Sequence, residues 1–549
     1  MATNLNAQYT SAAVHNDTAK PLSPTSVAPA AGVNFRASLA NFNYLGVKTT
    51  PDLASLFAQR FAMASTPALA QTIREVGPLQ WLNDQLFTPP SEAALDKKMS
   101  RLWPTYKMTD EAIGDKWGRS LINNRMIGNV HPEYRRVMSQ QIQIAYGAWT
   151  PRQAHATLVF FMDNHFSVDM IRSTANYTSH SWLKLLLEKS AGKFSDLVYE
   201  TTKHPVFASY LDNHLNQKGN INENLGRELL ELHTLGVNGG YTEKDVLNSA
   251  LTLTGFGWSA YGTRHEFYNP NWRHTGDVQV LGWSDRGLNS STANAHKVLR
   301  DYTTYLARHP STADYLARKL IQFYVTDIEP PRDFVNRVAQ AYLRADTDVR
   351  YAVMEIARSP EFAASSGNKT KTPQHLATSA MATVGFEPID PNKVWDPVAK
   401  SGHTNARVIA HIGEYLHRAN HLPRAHPSPN GYPMDASHWF GPSNIVGSFN
   451  LLTHIALAAD SEMHSFKGDP MAFFGAKSTM TCRPIADLMR KKLLGNIPVS
   501  TYTMRQVSRT LAGGGVDDSK PLPADPAQRM ERFQRATAVL LCTPYFLSR

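Results

Sequence analysis

Two stretches of the chain place acids, histidines and an arginine at spacings that could support proton transfer. In the first, Asp163, Asn164, His165 and Asp169 crowd together. Leu158, Phe161, His165 and Val168 recur at helical spacing, so His165 faces a core. Asp169, four residues on, can hydrogen-bond the imidazole and fix its tautomer. In the second stretch, Glu228 and Glu231 stand three residues apart on a helix, where carboxylates approach each other. Two such groups repel when both are ionised and require a cation, an arginine or a shared proton. Arg227 is the local candidate. His233 lies roughly 140° around the same helix from Glu228, too far for the two to chelate one ion. Each stretch also has a structural reading: a satisfied core histidine in the first and a solvated charged face in the second.

A third group, His411, Glu414 and His417, has the Glu-x-x-His spacing that puts two ligands on one helical face, as in di-metal bundles. One copy needs further carboxylates from other helices. The cofactor is left as unknown, with a divalent metal as the candidate. The sequence contains no Gly-x-Ser-x-Gly elbow, no phosphate-binding Gly-x-x-x-x-Gly-Lys-Ser/Thr loop, no Gly-x-Gly-x-x-Gly and no His-Glu-x-x-His. Those absences count against the common hydrolases, nucleotide enzymes, Rossmann oxidoreductases and zinc proteases.

The elements that must position these residues are helices. Thr66 before Pro67 reads as an N-cap, and the pattern predicts short helices from Pro67 and from Pro78. Thr150-Pro151 predicts a helix through about Val168, and Asn222 begins another that runs to Leu235, before Gly236. Thr242 caps a helix expected to reach about Trp258. Further helices are expected over about 311–326, 331–345, 347–358, 373–384, 404–420, 441–460, 483–494, 501–512 and 526–545. Strand signals are scarce; the best is a hairpin pairing His265–Tyr268 with Val278–Leu281. The expected fold is therefore all-α, one large multi-helix body with a short β-hairpin and long loops. Residues 1–34 are rich in Ala, Ser, Thr and Pro and are expected to be a disordered tail. Residues 35–549 form one large domain, with two lobes allowed by a polar junction at 363–373. The loop 421–442 is dense in Pro, Gly, His and aromatics and is expected to be functional.

Composition sets outer bounds. The 549 residues carry a formal charge of +10, which favours an anionic partner. The charges are scattered, so an anionic glycan is expected rather than nucleic acid. No run reaches the ~18 apolar residues needed to cross a bilayer. No secretory signal is visible at the N-terminus, so a cytoplasmic location is expected. Cys482 and Cys542 read as unpaired thiols.

The block from Asn224 to Val246, NLGRELLELHTLGVNGGYTEKDV, resembles the hallmark of the bacterial domain-of-unknown-function 1800 family. Phe161–Val168 is similar to that family's Trp-His-Asn-His-Phe block. Arg358–Phe362, Pro429–Pro433, Trp439 with Asn450, and Thr543–Phe546 look like further family features, so the resemblance runs from about residue 40 onward. It implies an all-helical body and no settled activity. Members often look exported and neighbour genes for a sulfatase-like family. The resemblance thus leaves export open and suggests a sulfatase-like partner protein. Two departures stand out. Met162-Asp163 replaces the family's Trp-His, and Arg273–Val278 replaces its His-Asp-x-Gly-x-Lys turn. If that turn carries the family's chemistry, the chemistry is altered in this chain.

Two functional readings follow. In one, the chain is a hydrolase or lyase acting on an anionic polymer or envelope substrate. His165, supported by Asp163, Asn164 and Asp169, would meet Glu228 and Glu231, with Arg227 and His274 near the mouth. In the other, it is a non-catalytic binding or assembly protein with a degenerate site.

Overall fold

A computed structural model describes residues 52–110, 112–113, 132–171, 178–258, 266–390, 392, 409–458, 463–515 and 518–549. The tail expected over 1–34 lies outside the described residues.

The first helices follow from their caps. α1 (Leu53–Phe61) begins where Asp52 accepts a hydrogen bond from the Ser55 amide. α2 (Pro67–Val76) starts with Pro67 in its first turn and the Thr66 side chain bonded to the Leu69 amide. α3 (Pro78–Phe87) and α4 (Ala93–Leu102) come next. α5 (Pro132–Trp149) and α6 (Gln153–His165) are separated by a short turn. Thr150 does not cap α6 as its spacing predicts, because its hydroxyl donates to Glu92 at 2.6 Å and the helix starts three residues later. α6 is the central helix of the fold, and every residue in it except Asn164 is buried.

α7 (Ser179–Lys189) packs against α6, and α8 (Phe194–Thr202) packs against α7. α9 (Asn224–Glu231) is shorter than its apolar period implies. The chain leaves the helix at Leu232, after which the Thr234 hydroxyl turns back onto the Leu229 carbonyl at 2.6 Å and Gly236 takes a positive φ. α10 (Glu243–Leu253) carries the expected Thr242 cap, completed by Asp245 as a capping box. It ends before Trp258, because Phe256–Trp258 forms β1 and pairs antiparallel with β2 (Glu266–Tyr268). β3 (Gly276–Val280) instead pairs with β4 (Trp283–Leu288), its neighbour across a tight turn at Leu281-Gly282. The expected hairpin between 265–268 and 278–281 is thus replaced by two, each made with the nearest strand in sequence.

From residue 310 on the structure follows the expected helices closely, whereas α11 (Thr292–Arg308) was not among them. α11, α12 (Pro310–Tyr324), α13 (Arg332–Arg344), α14 (Val349–Arg358) and α15 (Pro373–Thr383) pack in succession or onto α5. β5 (Glu387–Pro388) later pairs with β6 (Met463–His464). Between them lie α16 (Ala410–Arg418) and α17 (Pro442–Leu457); the predicted residues 404–408 and 459–460 lie outside the described residues. α18 (Cys482–Leu494), α19 (Thr501–Ala512) and α20 (Pro526–Leu541) close the fold, α20 stopping short of 545 at Thr543-Pro544. One apolar cluster extends from Ala54 to Leu547. The 363–373 stretch passes through the interior: Lys369, Thr370, Lys371 and Thr372 are buried, and Thr370 bridges Ser548. The two cysteines are free.

Candidate functional site

The C-terminal turn of α6 is a junction at which each polar residue holds a different segment. Asp163 accepts from Gln143 on α5 at 2.8 Å, from Trp182 on α7 at 3.3 Å, and from Arg424 at 3.4 Å. Both members of the Asp163–Arg424 ion pair are buried. Asn164 brackets the 421–442 loop, accepting from the Tyr432 amide at 2.7 Å and donating to the Tyr432 carbonyl at 2.9 Å. His165 and His233 clasp each other's backbone. His165 Nε2–H donates to the His233 carbonyl at 3.1 Å, and His233 Nδ1–H donates to the His165 carbonyl at 3.0 Å. Phe161, Phe166, Phe194 and Tyr315 surround the His165 ring. Burial pushes the His165 pKa well below its ordinary value and that of His233 down to about 3, with Lys319 opposing a positive charge on either.

Asp169 does not orient His165. Its Oδ1 accepts from the Ile171 amide at 2.9 Å, while His165 Nδ1 has no hydrogen-bond partner. Nor does a carboxylate from α9 touch that imidazole. Glu228 stands on the polar face of α9 with its Oε2 buried and unpartnered. Burial first, then Glu231, raises its pKa. Arg227 is drawn outward, to Glu243 at 2.6 Å and Glu223 at 3.2 Å, and reaches Glu231 only at 3.9 Å. His274 is half-buried beside Arg273 and Lys218, which together with burial lower its pKa. His411 lies 3.5 Å from Glu414, which Arg418 also binds, and all three are exposed. Among the described residues, no three His, Cys, Asp or Glu side chains are arranged to hold a metal ion.

Another pocket gathers acid–base groups that the sequence did not reveal. It encloses about 350 Å³ and is lined by Glu92, Lys107, Tyr146, Arg152, His155 and Lys184, among others. Tyr146 closes α5 and His155 opens α6, so the 150–152 turn folds one ring against the other. The Tyr146 hydroxyl lies 2.9 Å from His155 Nδ1, and His155 Nε2 lies 2.9 Å from the Leu187 carbonyl. A carbonyl can only accept, so Nε2 carries the imidazole proton and Nδ1 accepts from Tyr146. Burial, then Arg152, pushes the His155 pKa down to about 4. Burial and the nearby Glu92 raise that of Tyr146. Glu92 is gripped by the Thr150 hydroxyl and, at 3.3 Å, by Arg152. Carboxylate, phenol and neutral imidazole thus share one pocket with three cations. The one legible cue was a Tyr and a His flanking a Thr-Pro break, and the angle of that break is not written in either residue.

Residues 56–548 match the family described as "Protein of unknown function (DUF1800)". The chain belongs to that family. No curated protein and no solved structure matches it. The two stretches that depart from the expected family pattern have structural roles here. Asp163 supplies the buried partner of Arg424. Arg273 is buried and ties down the end of α10 by donating to the Thr252 and Thr254 carbonyls.

Proposed function

We propose that this DUF1800 protein is a hydrolase or lyase for an anionic polymer such as an acidic envelope glycan. Its acid–base work is done in the Glu92–Tyr146–His155 pocket. The observation that carries the reading is the Tyr146–His155 hydrogen bond opening onto a pocket that also holds a carboxylate and three cations. Tyr146 holds a hydroxyl proton on His155 Nδ1, and in this reading it is the proton donor to substrate. Glu92 is the carboxylate placed to accept a proton. Lys107, Arg152 and Lys184 suit an acidic substrate, although each also has a carboxylate neighbour in the chain. A general acid or base typically contributes roughly 10²–10⁴-fold in rate. Uronate and sulfated polysaccharides are the panel to test, with new reducing ends reporting hydrolysis and ultraviolet absorbance of unsaturated products reporting elimination. Tyr146→Phe and Glu92→Gln are expected to cut turnover by at least roughly 10²-fold in chains that still unfold cooperatively above the assay temperature. Full activity in both variants would assign the network to structure alone.

The 163–169 junction supports a second reading, a non-catalytic binding or assembly protein. There Asn164 and His165 hold the aromatic 421–442 loop and α9 in place, and the loop meets an anionic glycan or a sulfatase-like partner. Binding without any product, lost on shortening the loop tip around Pro427–Asn430, distinguishes it from the first.

A further inference from the structure

One further cavity shares no lining residue with the Glu92–Tyr146–His155 pocket. It encloses about 560 Å³ between α1, α2, the end of α18 and the Tyr545–Phe546 turn. One wall is Lys371, a side chain that is only 7% exposed. Its ammonium group donates to the Phe546 carbonyl at 2.6 Å and stands 4.5 Å from the Phe546 ring. Among the described residues, no carboxylate pairs with it. Arg549, Lys369 and His375 stand behind it, and Arg74, Lys491 and Asp52 line the cavity across from it. Asp52 is already paired with Arg74, and Lys491 with Asp487. Arg60 lies deeper, its guanidinium bonded only to carbonyls. Among the described residues, the acidic side chain beside this cluster is Asp327, and it is taken by Lys369. Lys371 therefore lines the cavity at the edge of a basic cluster of Lys369, Arg60 and Arg549, in which Asp327 is the acidic side chain.

We propose that this cavity is a binding site for a small organic or inorganic oxyanion, carboxylate or phosphate, with Lys371 as its counter-ion. A buried charge without a partner is costly and is relieved either by losing its proton or by gaining an opposite charge. Burial, with Arg549, holds the Lys371 pKa down to about 7, so the charged form is disfavoured above neutrality. An anion drawn into the cavity restores the proton. Binding must therefore take up a proton above neutrality, and affinity falls about tenfold per pH unit above that pKa.

Calorimetric titration of the full chain with inorganic phosphate and with glucuronate, at pH 6.5 and 8.5 in buffers of differing ionisation enthalpy, tests this. Binding that is tighter at pH 6.5 by at least tenfold, with proton uptake at pH 8.5, is expected. The two probes distinguish a phosphate from a carboxylate ligand. Lys371→Met, which keeps the volume and removes the charge, should abolish that binding. If this variant does not fold, protection of Lys371 in the native chain from trinitrobenzenesulfonate by the same anions decides the question, read by peptide mass spectrometry. No binding by either probe at pH 6.5 overturns the proposal, and so do equal affinity in Lys371→Met or unprotected labelling.

Discussion

Asp163 and Glu228 are both acids on helices, yet their surroundings give them opposite energetic roles. Asp163 holds a buried arginine, a glutamine and a tryptophan. Removing one member of a buried pair leaves the other charge without compensation and costs about 3–5 kcal/mol. Asp163→Ala is therefore expected to lower unfolding stability by about that amount in denaturant titration. Glu228 holds nothing with its buried oxygen and is crowded by Glu231. A carboxyl whose pKa is raised on folding loses stability as pH rises through the shifted range. Glu228→Gln should leave the melting temperature at pH 7 unchanged or raise it. A clear fall would show that the carboxylate has a partner that matters to folding.

At the scale of elements, the decisive contact is the docking of the 421–442 loop onto the end of α6. Gly431 has φ +78°, and a Cβ there would come within 2.3 Å of the Asn164 carbonyl oxygen. No larger residue fits without moving the loop away from Asn164. Gly431→Ala is expected to destabilise by more than about 1 kcal/mol and to open the loop to limited proteolysis. An unchanged cleavage pattern would show that the loop holds its place without this contact. The density of Pro, Gly and aromatics marked the segment as ordered and unusual; its anchors, Asn164 and the Asp163 partner of Arg424 among them, lie far earlier in the chain and could come only from the fold.

The whole molecule buries many histidines in neutral form. Burial lowers the pKa of His155 to about 4 and those of His180, His204 and His233 to about 3. His165, His375 and His421 are lowered well below the ordinary value of 6.5. Each binds a proton more readily unfolded than folded. Stability is thus complete above pH 6.5 and is lost as pH falls toward the folded pKa values, by up to about 1.4 kcal/mol per pH unit per histidine. The melting temperature should drop steeply between pH 7 and pH 5, with protons taken up on unfolding. A flat profile over that range would contradict the burial of these rings.

Family membership, the helical class and most helix boundaries in the second half were legible in the chain itself. They depend on local periodicity, on caps such as Thr66 and Thr242, and on prolines at first turns, all of which act over a few residues. The core-facing position of His165 was equally visible. The partner of each polar residue was not. Whether His165 meets Glu228 or the His233 backbone, and whether Tyr146 meets His155, depends on how helices cross. The same holds for the lack, among the described residues, of a counter-ion at Lys371. Those crossings are settled by packing between segments distant in sequence, and one residue's periodicity carries no information about the side chain it will face.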